Sequence, residues 1–196
     1  QQQFDIISAY FVPTRAGVAQ LVALKRRGVK IAILTNSLAA NDVTVVHAGY
    51  ARWRKKLLRH GIALYEMKPQ ANASDAPHDR GLTGNSGSSL HAKTFTVDNR
   101  KVFIGSFNFD PRSAVLNTEM GLVIESETLA QQTHQRFIAG MRDRAWTLRL
   151  DNWGRVNWVE YAGESGEVVH KHEPQCTWIQ RLLVRLVWRL PVEWLL

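Results

Sequence analysis

Two β-branched and aromatic runs, Leu90 to Asp98 and Lys101 to Asn108, flank the dipeptide Asn99-Arg100 and carry a histidine, a lysine, a serine and an asparagine at alternating positions. Runs of this kind joined by two residues predict an antiparallel hairpin. With that turn length Asp98 faces Lys101, Lys93 faces Ser106 and His91 faces Asn108. Alternate residues of a strand share a face, so His91, Lys93, Ser106 and Asn108 are expected to form one polar cluster. Asp98 and Lys101 are expected to form an ion pair near the turn, on the opposite face. The grouping depends on register, because a slip of one residue moves every side chain to the other face. A nucleophile or acid, a fixed cation and two neutral donors fall between His91 and Asn108. That is the equipment of a site that cleaves phosphodiesters.

The spacing H-x-K-x4-D-x6-G-S-x-N, carried by His91, Lys93, Asp98, Gly105, Ser106 and Asn108, resembles the HKD motif of the phospholipase D superfamily without gap or substitution. Six fixed residues at ~5% usage each coincide at roughly one starting position in 10⁷ to 10⁸, so chance is a poor explanation. The resemblance implies a mechanism in two halves. One histidine attacks phosphorus to give a covalent phosphohistidine, and a second, from another HKD motif, protonates the leaving alcohol and later deprotonates the acceptor. His91 would be nucleophile or general acid, and the sequence leaves that choice open. Lys93, Ser106 and Asn108 would be ligands of the substrate phosphate. No metal or cofactor is implied, since lysines and amides neutralise the phosphoryl oxygens.

A histidine in either role needs its other ring nitrogen held, commonly by a carboxylate. Glu119, which opens the apolar run Met120 to Ile124, resembles the family glutamate that follows the hairpin and buttresses the histidine; a solvated glutamate at a strand entry is the plainer alternative. Asp98 completes the motif and counts among the catalytic candidates, although its place beside the turn suits a structural ion pair. Only one such motif is present among seven histidines. The chemistry needs two, so the chain is expected to be half of a longer two-motif enzyme or one protomer of a symmetric dimer. That the first residue is Gln1 rather than Met favours a fragment or a processed chain.

With 196 residues, 45% of them hydrophobic, the chain can bury a substantial core as one α/β domain. The single cysteine, Cys176, excludes an internal disulfide framework and permits a reducing compartment. No stretch of 18 or more uninterrupted apolar residues and no signal-peptide pattern is present, so no membrane-spanning segment is expected. Strand and helix patterns alternate: a strand over Phe4 to Phe11, a helix over Thr14 to Arg27 closed by Gly28, a strand over Val29 to Thr35, a helix from Asn41 or Asp42 to His60-Gly61, and a strand over Ile62 to Tyr65. This alternation implies βαβ units, hence a phospholipase D-like α/β fold with a mixed, largely parallel sheet flanked by helices and bearing the hairpin. Lys68 to Ser89 reads as a mobile loop, and Glu127 to Arg144 as an amphipathic helix. The organisation expected is a catalytic half-site domain over residues 1–160 and a C-terminal extension, with a basic amphipathic helix, over 161–196.

Ser8 to Pro13 and Thr35-Asn36-Ser37 look like the strand ends of bacterial cardiolipin synthases, and the chain as a whole resembles the C-terminal HKD domain of their type C branch. Tyr10, Asn36 and Ser37 are therefore pocket candidates, with ordinary turn chemistry as the alternative. The helix around Tyr50 carries Arg52, Arg54, Lys55, Lys56 and Arg59 in a chain of net charge +8, a balance that attracts polyanions. From Trp178 a stripe of Trp178, Ile179, Leu182, Leu183, Leu186, Val187 and Leu190 repeats at helical spacing beside a line of Arg181, Arg185 and Arg189. Such a helix suits a membrane interface, with Trp178 at headgroup depth and the arginines meeting lipid phosphate, or else docks on the domain. His170-Lys171-His172, with only Glu173 nearby, makes a poor metal site and reads as surface loop.

Taken with the resemblance, the expectation is a phosphatidyltransferase that forms cardiolipin from phosphatidylglycerol and a second phospholipid, peripheral on the cytoplasmic face of a bacterial inner membrane. Its expected partners are anionic phospholipids and a second HKD domain, not nucleic acid. The rivals are a single-motif homodimeric endonuclease and a non-catalytic lipid-binding half. The intact His91, Lys93 and Asn108 argue against the latter, and the Trp- and Arg-rich tail favours lipid over DNA.

Overall fold

The structure is a computed structural model that describes residues 2–41, 43–69, 90–163 and 166–188. Its first half follows the expected alternation: β1 (Gln3–Ser8), α1 (Arg15–Arg26), β2 (Lys30–Asn36), α2 (Thr44–Arg59) and β3 (Ala63–Met67), with the three strands paired in parallel. Thr14 starts α1 by accepting from the Gly17 amide at 3.2 Å, and Gly28 ends it at φ +88°, a conformation L side chains avoid. The residues from 70 to 89 of the expected loop lie outside the described residues.

All other pairing between strands is antiparallel, so the sheet is mostly antiparallel rather than largely parallel, and one isolated parallel bridge joins Phe11 to Phe109. β4 (Lys93–Val97) joins the free side of β1, followed outward by β5 (Lys101–Gly105) and β6 (Gly121–Glu125). Beyond β3 the sheet continues through β7 (Ala145–Leu150), β8 (Val156–Tyr161) and β9 (Glu167–His170). The result is one nine-stranded sheet in the order β6-β5-β4-β1-β2-β3-β7-β8-β9. The expected mixed α/β fold is present, with parallel pairing of strands confined to β1, β2 and β3.

The last three strands went unread in the sequence, although Trp146 and Leu148 alternate with Thr147 and Arg149 ahead of a turn at Asp151 to Gly154. The division expected after residue 160 falls inside β8, and β9 continues the same sheet. His170, expected in a surface loop, closes β9 and lies 3.2 Å from a carboxylate oxygen of Glu160.

Helices cover both faces of the sheet. Ile6, Ile33 and Leu64 pack with Val18, Leu21, Tyr50 and Leu57 of α1 and α2 on one side. On the other, Ile7, Leu34 and Met67 meet Phe137 and Met141 of α4 (Glu127–Arg144), a helix whose bounds match the expected ones and which Ser126 caps. Each such fully buried aliphatic side chain contributes ~1.5–3 kcal/mol.

Arg54 departs from the basic helix face expected of α2. Lys55, Lys56 and Arg59 are exposed, but Arg54 is 4% exposed. Its Nε lies 2.8 Å from Glu66 of β3, its Nη1 lies 2.7 Å from Glu173, and its guanidinium sits over the rings of Tyr50 and Trp158. Trp158 of β8 in turn donates to Glu66 at 2.8 Å. One guanidinium thus joins α2, β3, β8 and the segment after β9. Burial alone would raise the Glu173 carboxyl, but the Arg54 charge and a hydrogen bond from His47 outweigh it and hold it at about 2.

A carboxyl depressed in this way stabilises the fold above its ordinary value of 4.5 and loses that contribution as pH falls toward 2. The stability gap between wild type and Glu173→Gln should therefore be full above pH ~5 and close toward pH ~2 in denaturant titrations. A gap that stays constant across this window would remove Glu173 from the network.

The last described helix, α5 (Trp178–Val187), opens with a reciprocal cap in which Thr177 and Gln180 exchange side-chain and backbone hydrogen bonds. It docks on the domain, as one of the two expectations had it, through Val184 and, of the expected apolar stripe, Val187. Val184 is 3% exposed and packs with Leu38, Ala48, Ala51 and Cys176. Arg181, expected to face lipid, instead donates to the Cys176 carbonyl at 2.6 Å, and Arg189 lies outside the described residues.

Candidate active site

The expected hairpin forms, in a register one residue removed from the expected one. Val97 lies opposite Lys101 and Thr94 opposite Ile104, so three residues rather than two separate the paired strands. Asp98 and Asn99 adopt left-handed φ values of 55° and 53°, and the Arg100 amide closes the turn on the Val97 carbonyl at 3.0 Å. Asp and Asn are the non-glycine residues that tolerate such a turn, and Asp98 is the residue added to the expected Asn99-Arg100. The ladder therefore sets Lys93 against Gly105 rather than Ser106.

Asp98 also finds different partners. Lys101 pairs with Glu125 of β6 at 2.6 Å, while the Asp98 carboxylate accepts from the Gln2 and Gln3 amides and ties the turn to the start of β1. Five strand positions, roughly 16 Å, separate it from Lys93. Its position is that of a structural anchor.

The structure joins Lys93 to His91 directly and holds Ser106 and Asn108 through contacts that reach past the hairpin. The Asn36 side chain, 2% exposed, accepts from the Leu90 amide at 2.9 Å and donates to the Leu90 carbonyl at 3.0 Å and the Ala9 carbonyl at 3.2 Å. On the other side of His91, the Ala92 carbonyl accepts from the Ala9 amide at 3.1 Å. His91 is thus the exposed residue between two pinned neighbours. Asn36 frames it from beneath rather than lining a pocket, and Ser37, also buried, accepts from the Ala40 amide to close the turn after β2.

Beyond β5 the chain returns to β1. Ser8, which the sequence offered only as part of a strand end, is fully buried; its hydroxyl donates to the Tyr10 carbonyl at 2.6 Å and accepts from the Phe109 amide at 3.0 Å. The Tyr10 amide donates to Asn108 Oδ1 at 3.4 Å, which leaves the Asn108 NH₂ group as the donor turned to other use. Asp110 then caps the short α3 (Pro111–Val115) by accepting from Ser113 at 2.8 Å. Gly105 is required here, because a Cβ would lie 2.4 Å from the Met120 carbonyl that receives the Ser106 amide.

Within the cluster the Lys93 ammonium lies 3.4 Å from His91 Nε2 and donates to the His91 carbonyl at 3.1 Å. Partial burial pulls Lys93 below the usual lysine range, opposed by the Glu119 and Asp110 carboxylates. Glu119 does not reach His91. It accepts from the Ser106 hydroxyl and, at 3.1 Å, from Asn117, and these bonds with the Lys93 charge hold it below the usual glutamate range. Glu119 therefore stays ionised and orients Ser106. His91 and Ser106 are exposed and Asn108 and Lys93 half-buried, with the Lys93 ammonium beside the accessible imidazole. That arrangement can hold a tetrahedral anion against a nucleophilic or proton-carrying nitrogen.

Fold and site together define a one-motif phospholipase D-like domain. Residues 1–141 match the family described as cardiolipin synthase, PLD-like domain, and the chain belongs to that family. It is 67% identical over 195 residues to cardiolipin synthase C of Escherichia coli (strain K12), an alignment covering 100% of this chain and 41% of that protein. An uncharacterized protein of Helicobacter pylori (strain J99) is 33% identical over 184 residues, covering 91% of this chain and 34% of its own length. The chain thus spans less than half of either relative. Among solved structures, the phospholipase D family member Nuc from Salmonella typhimurium superposes with a TM-score of 0.55 at 23% identity, over 76% of this chain and 82% of Nuc. Phosphatidylserine synthase from Haemophilus influenzae does so at 0.55 and 16% identity, over 95% of this chain and 39% of the synthase. Both likenesses concern the fold.

Proposed function

We propose that this chain supplies one half of the active site of a phosphatidyltransferase that makes cardiolipin from phosphatidylglycerol and a second phospholipid. The observation that carries this reading is His91, pinned on both sides, open to solvent, and set 3.4 Å from the Lys93 ammonium. If His91 is the nucleophile, its ring nitrogen forms a bond to phosphorus as the bond to the leaving alcohol breaks, and a second histidine gives that alcohol its proton. The acceptor hydroxyl then attacks, the phosphorus–nitrogen bond breaks, and the second histidine takes the proton back. If His91 is the acid and base, the roles exchange. No other histidine of the described residues bonds into the cluster, so a second HKD domain must complete the site. An exposed apolar band beside Glu119, made of Ile104, Val115, Leu116, Met120 and Leu122, supports contact with such a domain.

Among the described residues no helix is long and apolar enough to cross a membrane. The kinship with cardiolipin synthases and the basic charge support peripheral attachment to anionic phospholipid, on the cytoplasmic face of a bacterial inner membrane. The test is to incubate the complete polypeptide that carries this chain with phosphatidylglycerol in EDTA. Cardiolipin and released glycerol are expected. Robust nicking of plasmid DNA with no lipid product would replace this reading with a nuclease.

A further inference from the structure

The helix α5 is held to the domain by a narrow edge and leaves its apolar side uncovered. At about 100° per residue, Trp178, Ile179, Leu182, Leu183 and Leu186 fall in one arc of about 140° centred opposite the buried Val184. All five are between 46% and 70% exposed, and Trp188 at the C-terminal end is 46% exposed. Five large apolar side chains contiguous on one helix are not a scatter of surface residues.

We propose that α5 is a bilayer-contacting helix, docked on α2 through Val184 and placing Trp178, Ile179, Leu182, Leu183 and Leu186 in the interface of an anionic phospholipid surface. Three features select lipid over another occupant. The helix has no acidic residue, and Arg185 stands exposed at the edge of the apolar arc beside Trp178. Trp178 closes one edge of the face, and this ring is the one that settles at headgroup depth, with the aliphatic residues beside it reaching deeper. The position is also continuous with the site: Val187 joins the cluster of Val12, Val46 and Tyr10, and the Tyr10 and Val12 amides hold Asn108 and Phe109. A helix lying in the interface there keeps the catalytic end of the sheet at the lipid surface. Lipid contact falls to the apolar face and Arg185, while Arg181 serves as the internal clamp on the Cys176 carbonyl.

The inference rests on the phosphatidyltransferase reading for its choice of lipid, and it is measured by binding rather than turnover, so the two fail separately. The complete polypeptide and its Ile179→Ser/Leu182→Ser/Leu183→Ser/Leu186→Ser variant are sedimented with vesicles of phosphatidylglycerol and phosphatidylcholine. The variant should bind more than ~tenfold more weakly. It should keep the wild-type unfolding temperature, because all four positions are exposed, and the wild-type rate on short-chain phosphatidylglycerol dissolved as monomers. If the fourfold variant does not fold, Leu182→Ser and Leu186→Ser singly should each weaken binding severalfold. Brominated acyl chains should quench the fluorescence of wild type more than that of Trp178→Phe. Unchanged vesicle binding by the folded variant overturns the proposal. So does a variant whose only change is dissociation of a wild-type oligomer in light scattering, which would make this face a protein interface.

Discussion

Replacing His91 with alanine is expected to lower phosphatidyl transfer by ~10⁴-fold or more, the scale on which nucleophiles and general acids act. Folding stability should change by no more than ~0.5 kcal/mol, because the side chain is exposed. Turnover and chemical denaturation of the complete polypeptide, measured together, check both halves. A substrate with a p-nitrophenol leaving group separates the two roles, since so good a leaving group needs no proton: a general-acid His91→Ala variant recovers its first step and accumulates phosphoenzyme, whereas a nucleophile variant forms none. Lys93→Ala and Asn108→Ala should each cost ~2.7–4 kcal/mol of transition-state stabilisation, the cost of removing one preorganised donor. Retained activity in His91→Ala would end the catalytic assignment.

The largest effect on stability is expected at Arg54. In Arg54→Leu the Glu66 carboxylate, fully buried, is left without its cation, and breaking one side of a buried pair costs ~3–5 kcal/mol. That is a large share of the stability of a domain this size. The double variant Arg54→Leu/Glu66→Leu should recover much of the loss, because the stranded charge is gone and Glu173 can turn to solvent. Denaturant titration of the three proteins decides the matter. A loss below ~1 kcal/mol in Arg54→Leu would mean that the network carries no weight.

Arg54 also shows where sequence reading falls short. It shares a helix face with Tyr50, Ala51 and Leu57, but it sits among Lys55, Lys56 and Arg59, and a run of positive charge reads as a solvated face. Its burial follows from two carboxylates distant in sequence, Glu66 on β3 and Glu173 after β9, which only the assembled sheet brings to one guanidinium. The same holds for Asn36. As a residue at a strand end it fitted a pocket wall, yet its amide spans two backbones and sets the position of His91.

What the sequence determined by itself was what can be stated in terms of near neighbours: the βαβ opening, the bounds of α4, the capping of α1, and a motif whose residue types and spacing name its chemistry. Those depend on periodicity and on groups within a few residues, which a linear chain displays. The tertiary structure decided the rest. The hairpin register turned on one added turn residue, admitted because Asp98 and Asn99 accept left-handed backbone and because the Gln2 and Gln3 amides wait for the Asp98 carboxylate. After that shift Ser106 and Asn108 take their positions from Met120 and Glu119 and from Tyr10, not from the hairpin ladder. The face that α5 turns outward was decided by the shape of α2, which accepts Val184 and leaves the tryptophan and leucine face uncovered. Each of these outcomes weighs a contact against others far along the chain, and no local pattern contains that comparison.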